Sequence, residues 1–478
     1  IVMRLVGSEM CIRDRLNNMK NLIKLILIPI LIVSCETTTP YDQETADVIT
    51  RFYGDALGER ESYNLLRDLS KDIGQRLSGS EGAAQAVLWS KEILEGYGFD
   101  SVFLQEVMVP HWERGSYEEC FYYEGNKKIN LSILGAGGTV STPFEGVTAE
   151  VVEVKSLEEV DVLGREGVEG KIVFYSKAFN QRYINIGTSY GETGFQRRLG
   201  AIKAAEYGAV ASIFRSLSSS NDDYPHTGSM SYKEGVDSIA HGGLGVLSSI
   251  KLSEKIKADP KTKLTVRLSG KWFPDALSHN VIGEIKGSEN PDNIILVGGH
   301  LDSWDVSEGA HDDGAGCVHS IGALRLFQKQ GIKPKNTLRA VMFMNEENGL
   351  RGGTQYAENA IKNNEKHIVA IESDASAYIP RGFGFSGSDE QLEKIQDWLK
   401  YFDKNTISYF SKGGGGADIG PLHRRTGTPM LGLSIDGQKY FEIHHTAKDV
   451  FEAVHPREME LGTASMASLV YLIDKYGL

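Results

Sequence analysis

The sequence predicts an α/β fold, in which helices flank a mostly parallel central sheet, together with a β-rich insert. From residue 278 onward, short apolar runs alternate with stretches of helical periodicity, which is typical of parallel strands buried on both faces. Between residues 131 and 270, short β-type runs separated by glycine-rich turns dominate instead. With 478 residues, of which 41% are hydrophobic and 24% charged, the chain is long enough for several globular domains.

Helical and strand-like patterns also precede the insert. Ser80 is the expected N-cap of a helix, because its hydroxyl can accept a hydrogen bond from a free backbone N–H of the first turn. Other helices are predicted at residues 46–57 and 62–73, a strand at 101–112, and one helix within the insert at 193–207. After the insert, the predicted strands are 280–287, 293–300, 338–345, 367–374 and 429–435, and the predicted helices are 316–330, 352–363, 389–402 and 457–475.

The amino-terminal residues predict a targeting segment. Residues 19–35 combine two lysines with a short apolar core and end in "IVSC", which resembles a bacterial lipoprotein signal that ends at Cys35. The apolar core is too short to span a bilayer as a helix. We therefore expect export across the inner membrane and lipid anchoring in the bacterial cell envelope. Residues 1–18 resemble translated sequencing-adapter sequence and are left out of the fold prediction.

Charge and cysteine content argue against a nucleic-acid-binding protein and against a disulfide-rich protein. The formal net charge of -13 argues against nucleic acid as a partner, because phosphate binding needs clustered Lys and Arg. Beyond the amino-terminal segment the cysteines are Cys120 and Cys317, which lie in different contexts, so no disulfide framework is expected. Cys317 lies in an apolar helical stretch and is expected in the core.

The stretch "GGHLDSWDVSEGAHDDGAG", residues 298–316, holds two histidines and four aspartates directly after a predicted strand. In α/β sheets, ligand sites lie at the carboxyl ends of strands. His300 and Asp302 are two residues apart on extended backbone and face the same side, so the Asp302 carboxylate is expected to accept the second imidazole N–H of His300. Asp312 precedes a helix start, and its two carboxylate oxygens can bridge two cations.

Later parts of the chain place the same residue types at predicted strand ends or adjoining loops. Glu346 and Glu347 are neighbours after one strand and face opposite ways, so one carboxylate can bind a metal while the other faces a substrate water. Carboxylates held close together repel one another, and divalent cations compensate that repulsion. Mixed imidazole and carboxylate ligands favour zinc. The remaining members of this set are Asp374, His444, His445 and Asp449.

The motifs GGHLDSW, DDGAG, NEENGLRGG, IESD and HHTAKD occur in an order and placement that resemble the M28 zinc peptidases. The motifs LSGSEG, VPHWERG and GGGGADIGPL are similar to the carboxypeptidase Q branch, and the insert resembles a protease-associated domain. The resemblance covers nearly all of residues 44–478. It implies a zinc exopeptidase fold with three parts: an N-terminal part of the peptidase domain at 36–130, the insert at 131–270 and the catalytic domain at 271–478.

The resemblance also implies two zinc ions per chain. One ion would be held by His300, Asp312 and Asp374, and the other by Asp312, Glu347 and His445. Glu346 would be the general base, which takes a proton from the attacking water and passes it to the departing amine. The family also has a cis peptide bond after the bridging aspartate.

At each of two ligand positions, the sequence has two adjacent residues of the same type that could be the ligand. The family spacing Asp-x-x-x-Gly selects Asp312 over Asp313, which is then expected to cap the following helix. The family pattern His-Thr-x-x-Asp selects His445 over His444. His311 and His444 remain open as alternative ligands, because each sits beside a predicted one.

The function implied is hydrolysis of short peptides, and of dipeptides if the carboxypeptidase Q likeness holds. The alternative within the family is an aminopeptidase of broader specificity. From other classes, the alternatives are a glutaminyl cyclase, which uses one zinc, and a non-catalytic receptor-like relative. All five ligands and Glu346 are present, which argues against both. The family also suggests a homodimer.

Overall fold

A fourteen-stranded sheet runs through the computed structural model, which describes residues 40–375 and 377–478. The predicted lipoprotein signal at 19–35 lies outside these described residues. The strands of the sheet are β1 (Ser101–Glu124), β2 (Lys127–Leu131), β3 (Ile133–Gly135), β4 (Val147–Val154), β5 (Ile172–Tyr175), β6 (Ala211–Arg215), β7 (Ala240–Leu244), β8 (Lys263–Ile285), β9 (Asn290–His300), β10 (Asn336–Phe343), β11 (Lys366–Glu372), β12 (Pro380–Ser386), β13 (Tyr409–Lys412) and β14 (Met430–Ile435).

The helices lie against this sheet. They are α1 (Gln43–Glu59), α2 (Glu61–Arg67), α3 (Glu81–Gly96), α4 (Leu157–Val168), α5 (Gly187–Glu206), α6 (Val246–Ala258), α7 (Ala315–Lys329), α8 (Arg351–Lys362), α9 (Asp389–Gln396), α10 (Gly420–Thr426) and α11 (Pro456–Tyr476). Within the described residues, none of these helices has the length and apolar character needed to cross a bilayer.

Parallel strands form the centre of the sheet. Strands β14, β11, β9 and β10 lie side by side and run parallel. Outside them, β12 runs antiparallel to β14, and β8 runs antiparallel to β10 and to β1. The predicted α/β fold with a helix-flanked central sheet is confirmed, and the parallel part is its centre.

Alternation along β9 shows why both faces of the sheet are covered. Ile295 and Val297 point into one apolar cluster, with residues of α1, α7 and α11, whereas Leu296 points into another, with Tyr356 of α8 and Leu422 of α10. Successive side chains of a strand face opposite sides. A strand buried on both faces therefore needs apolar residues at every position, which explains the unbroken run after Asn293.

The helix predictions differ from the structure mainly at helix ends. Ser80 is the N-cap of α3, and its hydroxyl accepts a hydrogen bond from the Ala83 backbone N–H at 3.2 Å, as predicted. The helix expected at 62–73 begins as α2 and widens into a π-helical turn, Asp68–Ile73. The helix expected at 389–402 is α9 followed by a 3-10 turn, Asp397–Tyr401.

The segment 131–270 contains more helix than predicted. Strands β4, β5, β6 and β7 pair in parallel, and β3 closes the edge antiparallel to β7. The helix expected at 193–207 begins at Gly187, and α4 and α6 were not predicted. The apolar start of α6 follows β7 after Gly245, so hydropathy alone does not separate this helix from the strand.

Two long strands connect this segment to the rest of the molecule. Strand β8 runs without a break through residue 270, the expected boundary, and pairs along its length with β1. Residues Tyr41–Leu478 form one compact unit. The domain boundaries at 130 and 270 therefore stay a prediction. Cys120 and Cys317 are both buried free thiols, and Cys317 lies in the main apolar cluster as expected.

Candidate metal centre

Three neighbouring strands end at the same edge of the sheet. His300, the last residue of β9, is paired with Phe343, the last residue of β10, and Glu372, the last residue of β11, is paired with Gly298. The segments that leave these strands therefore start side by side. This register brings His300, the Glu346–Glu347 turn and Asp374 to one place, as expected for the carboxyl edge of a parallel sheet.

Six polar side-chain atoms converge at this edge in two groups. His300 Nε2 lies 3.3 Å from Asp312 Oδ1 and 3.5 Å from Asp374 Oδ1. His445 Nε2 lies 3.2 Å from Asp312 Oδ2 and 3.1 Å from Glu347 Oε2. Within each group the potential ligand atoms of the three side chains all lie within 4.8 Å of one another. Asp312 belongs to both groups, so one carboxylate lies between the two imidazoles.

The chemistry of these residues fits divalent zinc. Imidazole nitrogens and carboxylate oxygens are zinc ligands in proteins. Asp312 Oδ2 and Glu347 Oε1 are buried and accept no hydrogen bond from the residues that the structure describes. Buried oxygens without a donor are costly, and a bound cation would remove that cost.

The charges at the centre attract positive ions. Burial lowers the pKa of His300, but the carboxylates of Asp312 and Asp374 outweigh it, and the pKa ends well above the ordinary value. Burial raises the pKa of Asp312, but the imidazoles of His444, His300 and His445 outweigh it, and the pKa ends well below the ordinary value. The same attraction would act on a metal cation, which would displace these protons.

The Asp302 carboxylate accepts hydrogen bonds from groups other than the predicted imidazole. The sequence predicts that the carboxylate accepts the imidazole N–H of His300, but the backbone carbonyl of Asp302 lies 2.9 Å from His300 Nδ1, and the carboxylate oxygen is 3.9 Å away. The carboxylate instead accepts hydrogen bonds from the backbone N–H groups of Asn345 (2.6 Å), Glu346 (3.0 Å) and Glu347 (3.3 Å). Asp302 therefore orients the turn that carries both glutamates.

Two further aspartates fix the backbone around Asp312. Asp449 accepts hydrogen bonds from the backbone N–H groups of His311 (2.7 Å) and Asp312 (3.1 Å). Asp313 accepts from the N–H groups of Gly316 (2.9 Å) and His300 (3.0 Å), so it caps the start of α7 and ties it to β9. The Asp312–Asp313 peptide bond is cis, as the resemblance implies.

The alternative histidines occupy distinct positions. The His311 ring packs against Tyr378 in a tilted arrangement with 4.8 Å between ring centres, and His311 belongs to neither group described above. His444 lies closer, because its Nε2 is 3.3 Å from Asp312 Oδ2 and its ring stacks on His445 at 3.7 Å. His445 contacts both Asp312 and Glu347, and this geometry favours it over His444.

A cleft of about 550 Å³ opens above the two groups. The sheet edge supplies one wall, which includes Glu346, and burial raises the pKa of Glu346 well above its ordinary value. A carboxylate with a raised pKa is a stronger base and takes up a proton more readily. The insert supplies the facing wall, with Tyr190, Arg197, Arg198, Ser229, Met230 and Ser231.

The glycine-rich loop packs behind the centre. A Cβ at Gly416 would lie 1.9 Å from the carboxyl carbon of Glu372, so this close approach requires glycine. The Glu372 carboxylate accepts a hydrogen bond from the Ile419 N–H at 2.9 Å. The loop therefore supports the end of β11, two residues before Asp374.

Sequence reasoning missed Arg76 and the insert residues around the cleft. The buried Arg76 guanidinium donates hydrogen bonds to the carbonyls of Leu301 (2.8 Å), Glu308 (2.6 Å) and Gly309 (2.9 Å), which holds the loop after β9. Arginine is rarely fully buried, and no local pattern marks this one. Arg197 likewise lies in an ordinary helical sequence.

Imidazole and carboxylate groups that converge at the carboxyl edge of an α/β sheet, beside a further glutamate, are typical of a metal-dependent hydrolase. The sequence profile described as Peptidase family M28 matches residues 280–470. Carboxypeptidase Q of Bos taurus is 36% identical over 421 residues, which cover 88% of this chain and 86% of that protein. Carboxypeptidase Q of Homo sapiens has the same identity and the same coverage. The chain belongs to peptidase family M28 and is a zinc metallopeptidase.

Solved structures agree with this assignment. The peptidase M28 precursor of Shewanella amazonensis superimposes with a TM-score of 0.86 and 31% identity, and the match covers 91% of this chain and 97% of that one. A zinc aminopeptidase of Bacillus subtilis has a TM-score of 0.61 at 20% identity, with 86% and 94% covered. The second similarity concerns the fold alone.

Proposed function

We propose that this chain is a dizinc exopeptidase that hydrolyses short peptides. The observation that carries the proposal is the pair of ligand groups that share Asp312. His300 and Asp374 would complete one zinc site, and Glu347 and His445 the other. A carboxylate with one oxygen toward each group is the arrangement that a bridging ligand requires.

Each residue of the centre has a separate task in this reaction. Two zinc ions would polarise the scissile carbonyl, lower the pKa of the attacking water and stabilise negative charge on the carbonyl oxygen. Glu346 takes the proton from the attacking water and passes it to the departing amine, because it lines the cleft beside the ligands. Asp302 orients Glu346 and Glu347 through their backbone N–H groups. The insert wall limits the space for the substrate.

We propose dipeptides as the substrates, because the chain is similar to carboxypeptidase Q. Carboxypeptidase Q relatives align over most of this chain, including the insert that closes the cleft. The alternative is a broader aminopeptidase, because leucine aminopeptidase 2 of Arthroderma otae is 25% identical over 70% of the chain. The presence of both ligand groups and of Glu346 disfavours a one-zinc cyclase and a non-catalytic receptor.

Elemental analysis of the purified chain tests the metal centre. We expect about two zinc ions per chain, and removal of both by a chelator should abolish peptidase activity until zinc is restored. His300→Ala should lose metal and activity together. His423→Ala is the matched control, because the His423 ring bonds to the Thr428 carbonyl outside the cleft. One zinc per chain in the active wild-type enzyme would contradict the proposal.

A panel of free and end-blocked dipeptides tests the substrate class. Hydrolysis that is lost when either end is blocked indicates a dipeptidase. Hydrolysis that is lost on amino-terminal blocking alone indicates an aminopeptidase, and hydrolysis lost on carboxyl-terminal blocking alone indicates a carboxypeptidase. Equal rates on doubly blocked peptides would contradict exopeptidase action altogether.

We also propose export and lipid anchoring of the chain at Cys35, and a homodimer in solution. The anchoring proposal rests on the sequence of residues 19–35. Labelling with a radioactive fatty acid should mark the wild-type protein and not Cys35→Ser. Sedimentation of the soluble part would determine the oligomeric state.

A further inference from the structure

We propose that the insert segment 226–228, held by Arg197, positions the imidazole of His445 for metal binding. The inference rests on the proposed dizinc centre and adds positioning residues to it. These residues lie in the insert, more than 200 positions from His445 in the chain. The insert is then part of the metal centre as well as a wall of the cleft.

Thr227 contacts His445 through two backbone groups. The Thr227 N–H donates a hydrogen bond to the His445 carbonyl at 3.0 Å, and the Thr227 carbonyl lies 3.3 Å from His445 Nδ1. Arg197 Nη1 also lies 3.2 Å from His445 Nδ1. Because His445 Nε2 faces Asp312 and Glu347, a metal would bind there and the proton would sit on Nδ1, where the Thr227 carbonyl is the one of these two neighbours that can accept it. The Thr227 carbonyl then accepts that N–H and fixes the ring, as outer partners of metal-binding histidines do.

Arg197 holds the segment from the other side. Its Nη1, which carries two N–H groups, lies 2.7 Å from His226 Nε2, 3.0 Å from the Tyr190 hydroxyl and 3.2 Å from the Thr227 carbonyl. An arginine is always a donor, so His226 Nε2 accepts and its Nδ1 carries the proton. His226 Nδ1 then donates to the His444 carbonyl at 3.2 Å. The insert therefore holds the peptide bonds before and after His445.

Gly228 is the position where a side chain cannot fit. Its φ is 128°, and a Cβ there would lie 2.2 Å from Arg197 Nη1 and 2.7 Å from His445 Nδ1. Any larger residue must therefore displace the guanidinium or the imidazole. Glycine at this position is explained by the approach of both groups to one backbone atom.

Thr227 is itself tied to two other parts of the molecule. Its hydroxyl donates a hydrogen bond to the Gly135 carbonyl at 2.9 Å and accepts one from Arg114 Nη2 at 3.2 Å. Arg114 also pairs with Asp305, with Nε 2.8 Å from Oδ2, in the loop that follows His300. The motif VPHWERG thus links the positioning segment to the other ligand group.

The test compares zinc affinities of matched variants. Gly228→Ala should weaken binding of one of the two zinc ions by about 10–100-fold and leave the other unchanged, because the change displaces a support of one ligand. The control is Gly191→Ala, also in the insert, where a Cβ would meet no atom within 4 Å. Competition with a chromophoric chelator measures both affinities. The visible spectrum of the cobalt-loaded protein should change for Gly228→Ala and not for the control.

A second pair of variants covers the case in which Gly228→Ala does not fold. Arg197→Lys keeps the charge but loses the planar fork, and it should also weaken binding of one zinc ion, whereas Arg165→Lys at an exposed position of α4, outside the cleft, should not. A wild-type chain with two ions and unchanged affinities in Gly228→Ala or Arg197→Lys would overturn this inference alone. A wild-type chain with fewer than two ions would overturn the proposed function and this inference together.

Discussion

The two walls of the cleft are built in different ways. On the sheet side, His300, Glu347 and Asp374 each lie at the end of a strand or within four residues of it, so the register of neighbouring strands brings them together. On the insert side, Arg197 and Thr227 come from a helix and a long loop, and hydrogen bonds across the cleft define their positions. A parallel sheet gathers ligands through its topology, whereas the insert contributes through individual contacts.

This difference explains why the two walls tolerate change differently. The sheet side supplies the groups that would hold the proposed metal ions, and loss of any one would remove a ligand or a proton carrier. The insert side supplies backbone carbonyls and one guanidinium that hold those groups in place. We therefore expect the largest effect when the carboxylate that carries the proton is replaced. Replacement of a residue that holds the ligands in place should have a smaller effect, and replacement of a helix cap the smallest.

The largest effect is expected for Glu346→Gln on the sheet side. The amide keeps the shape of the side chain but cannot take up the proton of the attacking water. We expect kcat to fall by about 10²–10⁴-fold with zinc content unchanged. Steady-state kinetics and elemental analysis measure the two quantities.

The matched control for this variant is Glu358→Gln on the exposed face of α8, which should retain full activity. Its ion pair with Arg425 is exposed and contributes little to stability. Near-normal turnover in Glu346→Gln would show that another group carries the proton.

An intermediate effect is expected for Asp302→Asn. The amide replaces one of the two oxygens that accept the N–H groups of Asn345, Glu346 and Glu347. The turn should shift, and zinc affinity at the Glu347 site should fall by about 10–100-fold. A similar loss of zinc affinity in Gly228→Ala would show that the two walls of the cleft support the zinc ligands to the same extent. Unchanged affinity in Asp302→Asn would mean that the ligands alone hold the turn.

The smallest effects are expected at two helix caps, one in each part. Ser80 caps α3 and Ser156 caps α4, and each hydroxyl accepts a backbone N–H at 3.2 Å. Replacement of either serine by alanine should lower the free energy of unfolding by about 1 kcal/mol. Because residues Tyr41–Leu478 form one compact unit, both variants should shift the same thermal transition. Two transitions, each sensitive to one variant, would show that the insert unfolds separately.

The sequence predicted the sheet side well because its signals are local. An apolar run followed directly by histidine or acidic residues marks a buried strand that ends at a polar site, as at His300. Asp302 is an instructive exception. Its spacing from His300 placed both on one side, but the carboxylate finds three backbone donors from another strand end, which no spacing rule reveals.

The residues that support the centre were harder to predict because they look ordinary in sequence. Arg197 lies in a helix of mixed composition, and Arg76 lies in a loop before α3. Their buried positions follow from carbonyl groups that converge on them in the folded chain. Likewise α6 was missed because its first apolar residues continue the pattern of β7.

By itself, the sequence determined the α/β class, the strands at the parallel centre of the sheet and the acidic and imidazole groups at its edge, whereas β12, β13 and α10 were not predicted. The predicted features follow from periodicity and from the position of polar residues relative to apolar runs. The tertiary structure alone decided which groups support the ligands: Asp302, Arg76, Arg197 and the Thr227 carbonyl. The physical reason is that buried polar groups must find partners wherever the fold provides them, and those partners come from distant parts of the chain.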